Sequence, residues 1–167
     1  MRMLIGVAAL GALASAGMLH AQTAGTAKLN TQWKCAAPNP VHALPVGDTA
    51  DHAYVVQQVK CTATKGEIAG VMEKEGASTE FAEPKGNNAT GHGIFVSTLA
   101  SGDKITYSYT FTGVSTKNEF QSGSNNWKMT GGTGKFKGIT GSGTCSGKGA
   151  SDGSAVFECT GTYTIAK

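Results

Sequence analysis

Side chains able to bond covalently or move protons are few in this chain, and their settings decide what they can do. Gly149-Ala150-Ser151-Asp152-Gly153 fits G-x-S-x-G, the elbow that presents a nucleophilic serine. Such an elbow needs a strand before it, a helix after it, and a histidine and an acid within reach. Here it falls between two alternating runs, where Ser, Asp and Gly serve turn chemistry. Gly143-Thr144-Cys145-Ser146-Gly147-Lys148-Gly149 resembles a phosphate-cradling loop. It is one residue short, however, and ends in Gly where Ser or Thr should hold magnesium; it reads as strand. Beyond the amino-terminal leader the histidines are His42, His52 and His92. Asp51-His52 opens a strand, and His92 precedes one between Gly91 and Gly93. Both are candidate general bases at a barrel rim, set against the plainer reading of solvated loop histidines. Asp103-Lys104 is hairpin chemistry, and the Asn88-Ala89-Thr90 sequon carries no weight in an exporter of bacterial appearance.

Four cysteines in an exported chain read as two disulfides, with three conceivable pairings. Cys35 and Cys61 end two apolar-alternating strands that flank a loop, and Cys145 and Cys159 face each other in a hairpin. The expected bonds are therefore Cys35–Cys61 and Cys145–Cys159, each worth roughly 3 kcal/mol through loop closure. A zinc site would need a close cysteine pair or a histidine at ligand spacing, and neither occurs. No metal or cofactor is expected.

Polar groups on apolar strand faces are the remaining candidates. Gln57, Tyr107 and Tyr109 point inward if the alternation holds, and with Trp33 and Phe111 they form a candidate ligand-binding lumen. Buried amides and phenols need partners; the alternative is a filled core in which they bond to backbone or to each other.

The elements that would carry these residues alternate with period two, the mark of strands with one face buried and one wet. Lys28–Cys35 puts Leu29, Thr31, Trp33 and Cys35 on one face. Ala36–Ala50 holds Pro38, Pro40 and Pro45 and reads as a loop. Asp51–Thr64 turns Val55, Gln57, Val59, Cys61 and Ala63 inward. Lys65–Lys74 and Ala77–Glu83 read as a short meander with Ile68, Gly70, Met72 and Phe81 inward. Ile94–Leu99 and Lys104–Val114 form a hairpin, the latter with Ile105, Tyr107, Tyr109 and Phe111 on one side. Ser115–Asn126 reads as a polar connection. The closing hairpin turns at Ala150–Ser154. With Asp152 at its tip, Cys145 meets Cys159, Gly147 meets Phe157 and Gly141 meets Tyr163, so bare glycines lie beneath aromatic rings. A one-residue slip would send every side chain to the wrong face.

Met1 to Ala21 has one positive charge, Arg2, then an apolar run ending in His-Ala, the pattern of a secretory signal peptide. Cleavage after Ala21 is preferred, with Ala16 as the alternative. The remaining 146 residues (167 less 21) hold 13 lysines, 11 acids and no arginine. Without a basic cluster, nucleic acid is excluded as a partner, and removal of the leader leaves nothing to span a membrane. Residues 22–167 form one domain long enough to bury a real core. Of 24 glycines in all, most sit inside alternating strands, where they mark bulges and close backbone approach. No sustained helical stripe appears. The fold class is all-β: a small closed antiparallel barrel of about eight strands.

GGTGKFKGITGSG (Gly131–Gly143), followed by the Gly161-Thr162-Tyr163 strand, resembles the motif of the allene oxide cyclase/dirigent-type β-barrels, whose bacterial members include secreted proteins of unassigned role. The resemblance covers the carboxyl-terminal part of the chain from Trp127. It implies an eight-stranded antiparallel barrel with an apolar lumen. Dirigent proteins commonly carry Arg after the Phe of this motif, whereas this chain has Lys137, and no catalytic residue carries over.

Three functions fit. The first is a secreted barrel, periplasmic or extracellular, that binds a small apolar or aromatic molecule without transforming it. The second is a cofactor-free cyclase or isomerase, which needs mainly shape, water exclusion and a few placed polar groups. The third is a structural or interaction role at the cell envelope. Neither the ligand nor the oligomeric state is written in the sequence.

Overall fold

The computed structural model describes residues 25–116 and 119–166; the expected leader, Met1 to Ala21, lies outside them. The strands are β1 Ala27–Cys35, β2 Val41–Pro45, β3 Ala53–Lys65, β4 Glu67–Ile68, β5 Val71–Lys85, β6 Asn88–Leu99, β7 Lys104–Thr116, β8 Glu119–Gly132, β9 Thr140–Gly149 and β10 Ala155–Thr164. Among the described residues one 3₁₀ turn, Gly134–Phe136, is the only helical element. Eight strands close on themselves in the order β1, β10, β9, β8, β7, β6, β5, β3, and β3 returns to β1. The expected closed antiparallel barrel is therefore present, with both expected disulfides.

Register rather than propensity explains the closure. One row of directly opposed residues runs round the wall: Gln57, Glu80, Gly93, Tyr109, Trp127, Gly143, Gly161 and Leu29. The two large rings in this row lie flat over their glycine neighbours. A Cβ on Gly143 would come 2.0 Å from the Thr160 carbonyl oxygen and 2.4 Å from the Trp127 ring, and one on Gly161 would meet that ring at 2.5 Å. Only glycine leaves room for the indole to cross the strands. The closing hairpin keeps the predicted register, with Cys145 opposite Cys159, Gly147 opposite Phe157 and Gly141 opposite Tyr163.

One end of the barrel is sealed. Ile68, Leu99, Ile105, Phe136 and Ile139 come from the turns at the same end of the strands and are almost completely buried. The 3₁₀ turn drives Phe136 into that end as a plug, a burial worth roughly 1.5–3 kcal/mol. The opposite end carries the β5–β6, β7–β8 and β9–β10 hairpins and the Pro-rich segment.

Three local readings change. The Pro-rich segment is not loop throughout: β2 pairs with β3 beyond the end of β1, as a detached continuation of that strand. Its other edge is unpaired and Pro45 ends it, which is where a sheet tolerates proline. The expected meander is instead the two-residue β4 and the single long β5. A bulge between Glu73 and Glu75 changes the parity of β5. Met72 and Phe81 therefore face outward, while Glu73, Ser78 and Ala82 are buried and Glu80 is half-buried. The expected connection at Ser115–Asn126 is the end of β7 and the start of β8, with the β7–β8 pairing extending to Thr116 and Glu119.

Candidate lumen site

A cavity of about 480 Å³ occupies the barrel above its plug, within the range of small-molecule sites. It opens past Ala36–Pro38, Glu119, Phe120 and the Ala150–Ser154 turn. All five expected lumen residues, Trp33, Gln57, Tyr107, Tyr109 and Phe111, line it. The alternation of β1, β3 and β7 places them there. Phe95, Phe120, Trp127 and Phe157 extend the aromatic wall: Trp33 meets Phe95 edge-on at 5.0 Å, and Tyr107 meets Trp127 edge-on at 5.7 Å. Such edge contacts hold the rings in fixed orientations. Both disulfides are turned inward and form part of the lining.

Glu80 is the functional candidate that the sequence concealed. It lies opposite Gln57, whose Nε2 donates to Glu80 Oε1 at 2.5 Å, while the Tyr109 hydroxyl donates to Oε2 at 2.5 Å. Both carboxylate oxygens therefore act as acceptors in the wall of the cavity. Burial, and then the charge of Glu80, push the Tyr109 phenol well above its ordinary range, so it stays a donor.

A second carboxyl, Glu73, sits below the cavity at the plugged end and is 4% exposed. Ser97 Oγ donates to its Oε1 at 2.9 Å and the Tyr107 hydroxyl at 3.4 Å, but Oε2 has no partner among the described residues. Burial raises its pKa to about 7, an effect the two hydrogen bonds only partly offset. Two further polar atoms are buried without a partner among the described residues: Trp127 Nε1, a donor, and Asn125 Oδ1, an acceptor. Both residues line the cavity, two places apart on β8. Neither Glu73 nor Glu80 was legible as inward, because the apolar Met72 and Phe81 set the assumed parity of the stretches that hold them.

The histidines stand elsewhere. His52 is at the open end, but its ring braces the turn before β3 rather than lining the cavity. Nδ1 faces Asp48 Oδ1 at 2.6 Å and Nε2 faces Glu83 Oε1 at 2.8 Å, and Lys85 Nζ reaches Asp48 Oδ2 at 3.2 Å. A carboxylate oxygen facing each ring nitrogen favours the protonated ring, in which both nitrogens donate. Glu83 first, and Asp48 next, raise its pKa above 6.5. His92 is on the outer wall in mid-strand, stacked on Phe81 with centroids 5.7 Å apart. His42 is exposed on β2. The outer wall also holds an open hollow of about 890 Å³ over β3 and β5 to β9, with Val56, Phe81, His92 and Ile94 among its lining.

No group of His, Cys, Asp and Glu suited to a metal ion occurs among the described residues, nor does a helix long and apolar enough to cross a membrane. The chain matches no protein-family model and no curated protein. Solved structures do match. The pterocarpan synthase dirigent protein GePTS1 superposes with a TM-score of 0.51 at 12% identity, covering 96% of this chain and 100% of its own. The pterocarpan synthase dirigent protein PsPTS1 gives 0.50 at 11% identity, covering 86% of this chain and 97% of its own. At such low identity the likeness is one of fold, and the fold of this chain is the dirigent-like eight-stranded barrel.

Proposed function

We propose that this is an exported barrel protein that holds a small apolar or aromatic molecule in its lumen without transforming it. The observation that carries the reading is the aromatic-walled cavity of about 480 Å³, of a size to take a small molecule and lined by Trp33, Phe95, Tyr107, Tyr109 and Trp127. Native mass spectrometry of protein purified from its own host tests it directly. The expected result is a retained small molecule. A barrel that arrives empty, and whose tryptophan emission no added small aromatic compound alters, overturns the reading. Export is tested by amino-terminal sequencing of the same material, which should begin at Gln22, or at Gly17 for the alternative cleavage.

One observation favours a second reading, a cofactor-free cyclase or isomerase of the allene oxide cyclase/dirigent type. The Glu80–Tyr109 pair sets a proton acceptor beside a proton donor in the wall of the cavity. Two of the structural neighbours are named as pterocarpan synthase dirigent proteins. Under this reading the molecule recovered from the host is converted on incubation with fresh protein; under the first it is returned unchanged. A contact role at the envelope draws on the outer row Tyr54–Phe81–His92, with ring centroids 5.6 and 5.7 Å apart.

A further inference from the structure

We infer that the guest is an organic cation: a protonated amine on an apolar body. The inference rests on the lumen-binding reading and adds the sign of the charge. Its first support is the charge inventory of the cavity. The chain has 14 lysines and arginines against 11 acids, yet among the described residues no Lys, Arg or His lines the lumen. The ionisable acids that do are Glu80, in the wall, and Glu119, at the mouth. A surface with an excess of bases thus encloses a space whose lining, among the described residues, carries acids and no bases.

Glu80 is held as an acceptor by Gln57 and Tyr109, but two neutral donors do not cancel its charge. Between the apolar walls of the cavity that charge acts over a longer distance than it would in open water. An anionic guest would face it with no compensating cation. A neutral guest would leave it as it stands. An ammonium would pair with it.

The aromatic wall points the same way. Trp33, Phe95, Tyr107, Tyr109 and Trp127 surround the cavity, and ring faces carry negative electrostatic potential that attracts cations.

The test uses three probes of one shape with different charge: 2-phenylethylammonium, 2-phenylethanol and 3-phenylpropanoate. Binding to the intact, disulfide-bonded protein is measured by calorimetry at neutral pH. The ammonium should bind about tenfold tighter than the alcohol, and the carboxylate weakest of the three. In Glu80→Gln, which keeps the shape of the side chain, the ammonium should fall to the affinity of the alcohol while the alcohol is unchanged. Alcohol or carboxylate binding as tightly as the ammonium overturns the charge assignment and leaves lumen binding standing. Failure of all three probes to bind overturns both. The wild-type comparison decides the matter even if Glu80→Gln does not fold.

Discussion

Replacing Glu73 by glutamine should remove most of the loss of stability that this protein suffers between mildly acid and mildly alkaline pH. The carboxyl is 4% exposed, one of its oxygens has no partner among the described residues, and its pKa is raised from 4.5 to about 7. Each tenfold change in proton affinity is worth about 1.4 kcal/mol, so ionising this group in the folded state costs about 3 kcal/mol. The sign follows from proton counting. Between pH 4.5 and 7 the folded state keeps the proton and the unfolded chain releases it, so stability falls as pH rises through that window. Glutamine cannot ionise and can still accept from Ser97 and Tyr107. Urea unfolding of the oxidised protein at pH 5 and pH 8 measures the effect, with the slope of the transition checked for constancy. Wild type should lose about 2.5 kcal/mol over that range, and Glu73→Gln should keep nearly all of it. The variant should be close to wild type at pH 5 and clearly more stable at pH 8. A variant that loses as much as wild type between the two pH values would refute the assignment of the burial cost to Glu73.

Other sites give independent checks. Removing the Cys145–Cys159 bond, whose cysteines are 14 residues apart, by Cys145→Ser with Cys159→Ser should cost about 3 kcal/mol in denaturant unfolding. Gly143→Ala should cost at least 1–3 kcal/mol by overpacking. The new Cβ would stand 2.0 Å from a backbone carbonyl that cannot turn aside, and displacement of the Trp127 ring should shift its fluorescence. His52→Gln should loosen the turn before β3 at pH 6 and change little at high pH. The imidazolium has a raised pKa, so its contribution is full below 6.5 and is lost as pH rises through the raised value. Hydrogen exchange at the Val46 amide, which donates to the His52 carbonyl at 3.0 Å, reports it.

The closing hairpin was legible because its register is over-determined. Two cysteines, two glycine–aromatic pairs and a turn all agree on one alignment, and a slip would break all of them together. The lumen residues on β1, β3 and β7 were legible for a related reason, since unbroken alternation fixes which side each residue takes. β5 was not, because parity survives only as long as the pleat is regular. The bulge between Glu73 and Glu75 leaves no mark in residue type. With Phe81 and Met72 the largest apolar residues nearby, burial by hydrophobicity put them inside and the glutamates outside. The signal that would have corrected it is cross-strand: Gln57 was read as inward, and Glu80 faces it. β2 was hidden by its prolines, which exclude a central strand but permit the end of an edge. The start of β8 was hidden because both its faces are mostly polar, so hydrophobic contrast vanishes where the wall rises beyond the core.

The plug formed by Phe136 and Ile139 gives this barrel the topology of a flask rather than a pipe. Whatever enters must leave by the same neck, and the water it displaces must pass it on the way out. For the proposed guest, residence time would be governed at the neck, by Ala36–Pro38 and the Ala150–Ser154 turn, and preference among guests by the wall beneath. The two properties reside in different residues, so a change to the neck can alter how fast a guest exchanges while leaving the choice of guest as it was.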